Sequence, residues 1–225
     1  MRPFVQVLDQ FYAKPENIRH QALSMEYSEP DDLTGWRTNI WQPRGIKGLI
    51  ERTFRIQIEH WEDGLTTVES CNGVFFSAFS KGRRGEKVKV HFDEPPDWMS
   101  LLIYLTPNAA YDTGTSFWQH RDTGLIAKPT KRDALRLGLS PKVLEAVLEE
   151  DGWKQKRWIE INRLGNIYNR AVMFPAGLFH SATRHFGNNL NNGRLYQSFH
   201  FSICSSRRSA NDAALNKSDA GRFYR

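Results

Sequence analysis

Cysteine is scarce: Cys71 and Cys204 are the only two thiols in 225 residues. Two thiols far apart give no disulfide scaffold, no Cys-x-x-Cys redox pair and no closed thiolate zinc site, and they fit a reducing, cytoplasmic setting. Long apolar runs are missing too. Leu101-Leu102-Ile103-Tyr104-Leu105 is among the longest, well short of the roughly 20 residues that span a bilayer, so no membrane contact is expected. Asp9 cuts short the apolar segment that starts at Phe4, which argues against a secretory leader. A Gly-x-x-x-x-Gly-Lys phosphate loop and a Gly-x-Ser-x-Gly nucleophile elbow are also absent, which removes support for P-loop nucleotide hydrolysis and for serine-hydrolase chemistry.

What remains is an ordinary globular composition, 40% hydrophobic and 25% charged, with seven Trp. The length suits one domain with a substantial core. The formal charge is +6. Much of the excess sits in Lys81, Arg83, Arg84 and Lys87, and in Arg207, Arg208, Lys217, Arg222 and Arg225. These read as a solvated hairpin loop and a loosely ordered tail from residue 205, not as a basic helix face, so nucleic acid is not the expected partner.

Along the chain, Phe4 to Leu8 reads as an opening strand, and Pro15 starts a helix that runs to about Met25. Residues 28–44 read as a loop. From Gly45 to Trp61 the apolar residues Ile46, Leu49, Ile50, Phe54, Ile58 and Trp61 keep helical spacing, with Gly64 as the stop. Strands are expected at Gly73 to Ser80, Val88 to Asp93, Ser100 to Thr106, Asn169 to Pro175, Leu178 to Thr183 and Arg194 to Ile203. A helical insertion covers about 130–151. The expected fold is mainly β with flanking helices: a jelly roll or double-stranded β-helix over 66–204, a helical part over 1–65, and a basic tail over 205–225.

His91-Phe92-Asp93 places an imidazole and a carboxylate two residues apart, on one side of an extended segment. By itself the pattern is weak. Downstream, His180 lies in an apolar stretch just after the turn Pro175-Ala176-Gly177. Two histidines and one carboxylate on one face of a metal leave the remaining positions open, as oxygen chemistry with iron(II) needs. Further on, Arg194, Tyr196, Ser198 and His200 share one side of a strand. An inward arginine demands a carboxylate, and its fork matches one bidentately.

The ordered set His91-x-Asp93, Tyr104-Leu105-Thr106, Gly114-Thr115-x-Phe117, His180 and Arg194 resembles the iron- and 2-oxoglutarate-dependent oxygenases, especially their prolyl-hydroxylase-like branch. The stretches Thr113 to Gly124 and Gly177 to Ala182 also look like an uncharacterised bacterial family of oxygenase-like proteins. The resemblance runs from the first strand to Ile203. It implies a double-stranded β-helix, with His91, Asp93 and His180 as iron(II) ligands. It also implies that Arg194, with Tyr104, holds the distal carboxylate of 2-oxoglutarate. The implied reaction uses O2 to hydroxylate an unactivated carbon, and the cosubstrate leaves as succinate. Thr106 and Thr113 depart from that family's Asn and Gly, and the gap between His91 and His180 is longer than in compact members. The insertion at 130–151 accounts for the excess.

Ser198, His200, Thr115, Phe117, Trp118, His120 and Arg121 are the further candidates for pocket or substrate contacts, the substrate being a small molecule or peptide. Two other functions fit the same residues. One is a non-catalytic β-helix protein that holds an acidic partner through its basic loop and tail. The other is a cupin-type enzyme that uses another divalent metal.

Overall fold

The computed structural model describes residues 5–29, 35–62, 72–80 and 87–204. In chain order the elements are β1 (Gln6–Leu8), α1 (Pro15–Ser24), β2 (Trp36–Arg37), α2 (Ile46–Phe54), β3 (Ile58–Trp61), β4 (Val74–Ala78) and β5 (Met99–Tyr104). There follow β6 (Thr115–His120), α3 (Lys131–Arg136), α4 (Pro141–Asp151), β7 (Trp158–Leu164), β8 (Ala171–Pro175), β9 (His180–Ala182) and β10 (Arg194–Ile203).

The fold is mainly antiparallel β with a few helices. Among the described residues, one sheet has the order β1-β8-β5-β10-β4-β2, with β3 also pairing β10, and a smaller sheet has the order β7-β6-β9. The pattern of β10 dictates how the large sheet is used. Leu195, Phe199 and Phe201 alternate onto one face and are fully buried. There they join Leu101, Ile103 and Met173 against Ile18 and Ala22 of α1 and Ile46, Ile50 and Phe54 of α2. Each large side chain removed from water contributes about 1.5–3 kcal/mol, so this layer fixes the sheet's register.

The other face carries Arg194, Tyr196, Ser198 and His200. Register places His200 beside Ser100, Ser198 between Leu102 and Val74, and Tyr196 between Tyr104 and Phe76. The smaller sheet packs over this face through Phe117, whose ring meets Phe174 edge-on with centroids 5.2 Å apart. Leu102, Tyr104, Val172 and Leu178 complete that contact.

Several elements differ from the sequence expectation. The helix that starts after Gly45 ends at Arg55, whose φ of 54° is left-handed, and Ile58–Trp61 is a strand paired with β10. Apolar residues can hold helical spacing across a break when both elements face the same core. Residues 87–90 make no ladder; of the expected strand Val88 to Asp93, His91 alone forms a bridge, to His180. Residues 28–44, read as loop, contain the short β2. Strands β6 and β7 were not expected. In β7 the apolar Ile159 and Ile161 are exposed, while Glu160 accepts a hydrogen bond from Ser116 at 2.5 Å, so the usual apolar-inward alternation is reversed. Gly64, Cys71, Lys81, Arg83, Arg84 and the tail from residue 205 lie outside the described residues.

The insertion forms two helices. A capping box between Thr130 and Asp133 starts α3, and Ser140 with Pro141 starts α4. The end of α4 presses on the segment that carries His91 and Asp93: Val90 donates its N–H to Gly152 O at 2.9 Å. A Cβ on Gly152 would lie 2.5 Å from Val90 O. Gly152→Ala is therefore expected to lower stability by about 1–3 kcal/mol, read as a drop in Tm by thermal denaturation.

Candidate metal centre

Residues 87–94 hold their place by unlike contacts. His91 and His180 exchange both backbone hydrogen bonds (3.0 and 2.8 Å), and Asp93 donates its N–H to Ala176 O at 2.8 Å. Val90 is buried among Leu144, Leu148, Trp158 and Phe179. Ion pairs join Lys89 to Glu149 and Lys128 to Glu94. Val90 and Phe92 thus turn toward the insertion, and His91 and Asp93 turn the other way.

Their polar atoms converge with His180: one ligand atom from each of the three lies within 4.8 Å of the other two. His91 Nε2 is 3.7 Å from Asp93 Oδ1, and His180 Nε2 is 3.4 Å from Asp93 Oδ2. Each imidazole is fixed from behind. His91 Nδ1 meets Lys89 O at 3.0 Å, and His180 Nδ1 meets Leu178 O at 2.8 Å. A carbonyl only accepts, so both Nδ1 atoms carry the proton and both Nε2 lone pairs face the carboxylate, an arrangement suited to metal ligation.

The electrostatics agree with that arrangement. Burial pushes the His180 imidazole down to about 4, only partly opposed by the Asp93 charge. Burial also works to raise the Asp93 carboxyl. The His180 charge, the hydrogen bond from His200 and the charges of His200 and His91 outweigh it and hold Asp93 well below the usual carboxylate range. At neutral pH the set is thus a neutral imidazole and an ionised carboxylate. A histidine with a depressed folded pKa contributes stability that is complete above its ordinary 6.5 and is lost as pH falls toward 4. The metal-free protein is therefore expected to lose up to about 3 kcal/mol between those limits, measured as falling urea midpoints across a pH series.

Arg194 lies 3% exposed at the start of β10. Its Nε donates to Thr113 O at 3.3 Å, and one Nη donates to Gly114 O and Thr115 Oγ1 at 3.2 and 3.3 Å. Its guanidinium sits over the Tyr196 ring at 4.5 Å and the Tyr104 ring at 5.6 Å. No carboxylate pairs with it among the described residues. Thr106, where the resembled family has Asn, anchors this end of the strand: its hydroxyl donates to Gly193 O and accepts from Leu195 N.

A cavity of about 720 Å³ connects these groups, and its wall includes His91, Asp93, His180, Arg194, Ser198 and His200. Thr115 also lines it. Tyr104 stands behind Thr115, bonded to its hydroxyl at 2.7 Å, and burial raises the phenol's pKa. Phe117 lies beneath His180, with ring centroids 6.5 Å apart.

The other expected pocket residues lie elsewhere. Trp118 bonds Ser181 and packs toward the insertion. His120 is buried against Trp158 and Asp151, and Arg121 bonds Lys156 O. Alternation along β6 explains the split, since Ser116, Trp118 and His120 face away from Phe117. His120, Asp122 and Asp151 also bring ligand atoms within 4.8 Å, but Arg157 pairs with both aspartates and Lys154 with Asp151. Their charge is already met by cations. Sequence reasoning missed Ser100, which donates to Asp93 Oδ2 at 2.6 Å, and it placed Tyr196 on Arg194's side of the strand without counting it among the pocket residues, where it stacks on Arg194. The alternation of β10 carries a signal for Tyr196. Nothing local marks Ser100.

The chain belongs to a family of unknown function, DUF6445, whose model matches residues 2–200. No curated protein matches it in sequence. In structure it is similar to HygX from Streptomyces hygroscopicus with nickel and 2-oxoglutarate bound, with a TM-score of 0.54 and 11% identity over 89% of this chain and 83% of that one. HygX with nickel, 2-oxoglutarate and hygromycin B bound gives 0.52 and 10% over 88% and 82%. YcfD, a ribosomal oxygenase from Escherichia coli in complex with cobalt and 2-oxoglutarate, gives 0.35 and 15%, over 99% of this chain and 55% of that one. The likeness to HygX is one of fold. Among the described residues no helix is long and apolar enough to cross a membrane.

Proposed function

We propose that this protein is an iron(II)- and 2-oxoglutarate-dependent oxygenase with a double-stranded β-helix core, acting on a small-molecule or peptide substrate. The observation that carries the reading is one cavity that joins three convergent ligand atoms to a buried arginine, which meets no carboxylate among the described residues.

The donor set fits the metal. Two imidazole nitrogens and a carboxylate suit iron(II), and no thiolate competes among them. The arginine fits the cosubstrate. A buried cation left unpaired is costly, and a dicarboxylate that reaches from the ligand triad to Arg194 would meet it through charge-assisted bonds. Iron(II) with O2 and 2-oxoglutarate supplies hydroxylation of a C–H bond, with succinate and carbon dioxide as co-products. His91, Asp93 and His180 would hold the metal. Arg194 would orient the cosubstrate, with Thr115 and the Tyr104 hydroxyl behind it. Phe117, Phe174 and Leu102 would keep the floor dry, which strengthens the ion pair. The cavity lies within the roughly 300–1,000 Å³ typical of small-ligand sites, leaving space beside the cosubstrate for a substrate.

Anaerobic addition of iron(II) and 2-oxoglutarate should produce a weak visible charge-transfer band, and admitting oxygen should release succinate. A protein that binds neither, under conditions where its fold is verified, rejects the reading.

A further inference from the structure

The cavity holds further imidazoles, and one of them, His200, meets Asp93. His200 and Ser100 are directly opposed on β10 and β5, so the sheet's register sets them side by side. Ser100 Oγ is 2.6 Å from Asp93 Oδ2 and 2.7 Å from His200 Nε2, and His200 Nε2 is 3.2 Å from the same Oδ2. The His200 backbone is tied to a residue just before β4 as well, its amide N–H donating to Asn72 Oδ1 at 3.1 Å.

Proton counting settles the roles. An ionised carboxylate only accepts, so the serine proton goes to Asp93. His200 Nε2 must then donate, to Ser100 Oγ and toward Asp93 Oδ2. A protonated Nε2 has no lone pair for a metal. A nucleophilic triad is excluded as well, because there the hydroxyl and the carboxylate sit on opposite ring nitrogens, whereas here both meet Nε2.

We propose that Ser100 and His200 are positioning residues that grip Asp93 Oδ2 and so present Oδ1 to the metal. The inference rests on the reading of His91, Asp93 and His180 as ligands. A free carboxylate turns easily about its last torsion and exchanges one-oxygen for two-oxygen ligation. Two donors on one oxygen stop that turn and keep an open position open.

The test is nickel(II) titration by calorimetry of the full chain, together with the charge-transfer band in the presence of iron(II) and 2-oxoglutarate. His200→Leu is expected to weaken nickel binding about 10- to 100-fold and to shift the band, with little change in Tm. His200→Gln, whose amide nitrogen reaches the place of Nε2, restores affinity to within a few-fold of the wild type. Ser100→Ala falls between. The assignment is overturned if His200→Leu binds nickel as the wild type does. It is overturned also if Gln fails as badly as Leu while both lower Tm alike, which marks a packing role, or if His200→Leu and His200→Gln lose the metal as fully as His180→Ala, which marks His200 as a ligand. Failure of the wild type to bind nickel overturns the metal-centre reading itself, and this assignment with it.

Discussion

His180→Ala is expected to abolish metal binding and succinate release while leaving the protein folded. Of the three proposed ligands, His180 is the most enclosed, its side chain 6% exposed against 41% for His91 and 24% for Asp93. Its ring rests against Phe174, with centroids 4.7 Å apart. His200, which also lies against Asp93, is not placed to substitute, since its Nε2 is committed to Ser100 and Asp93. Affinity should fall by at least about 100-fold, more than the 10- to 100-fold typical for partners behind the ligands. The backbone bridge to His91 does not involve the side chain, so the strand pairing survives. The lost packing costs about 2–4 kcal/mol, leaving a cooperative but lower transition. Calorimetry with nickel(II) and circular dichroism separate the two effects. Retained metal affinity in a folded variant removes His180 from the site.

Arg194→Leu is the second large effect, and it falls on the cosubstrate alone. Hydrogen bonds to charged groups contribute about 1.5–3 kcal/mol each, so losing a forked pair should raise the KM for 2-oxoglutarate at least about 100-fold. Metal affinity should hold, because Arg194 touches none of the three ligands. The carbonyls it leaves keep other donors: Gly114 O accepts from Thr183 N, and Thr113 O from Asn166 Nδ2. Fold stability should therefore change little. Arg194→Lys is expected to rescue poorly, since a point charge lacks the planar fork that spans Thr113, Gly114 and a carboxylate together. Equal loss of metal and cosubstrate binding would place Arg194 in a structural role instead.

The candidate site was partly legible in the sequence for a physical reason. His91, Asp93, His180 and Arg194 each stand in a local pattern: a two-residue spacing, a histidine after a turn, an arginine on the polar side of an alternating strand. Such patterns survive without knowledge of the fold. Ser100 does not, because its meaning comes from His200 across a strand pair and from Asp93 on an irregular segment. The same limit explains the pocket list. Trp118 and His120 sit near Phe117 in sequence, yet alternation sends them to the far side of β6. In the fold, helices α1, α2 and α4 and strands such as β5, β8 and β10 follow hydrophobic periodicity. β7 does not, because it exposes Ile159 and Ile161 at the edge of a sheet. Ile58–Trp61 escaped because a single left-handed residue, Arg55, broke a helix whose apolar spacing continued past it.

The bridge between His91 and His180 ties ligand retention to local opening. Among the described residues, the backbone of 88–94 makes this one rung of ladder, a bond to Gly152 and a bond to Ala176. Side chains add two ion pairs, the burial of Val90 and the bonds of Asp93 to Ser100 and His200. If the segment peels away, two of the proposed ligands, His91 and Asp93, leave in one event. Metal release is then a small unfolding reaction, and its rate should follow the opening equilibrium of those residues. A bound metal stabilises the closed form by mass action. Amide hydrogen exchange at Val90, His91 and Asp93 would thus slow on metal addition, while exchange in β10 and β5 stays as it was.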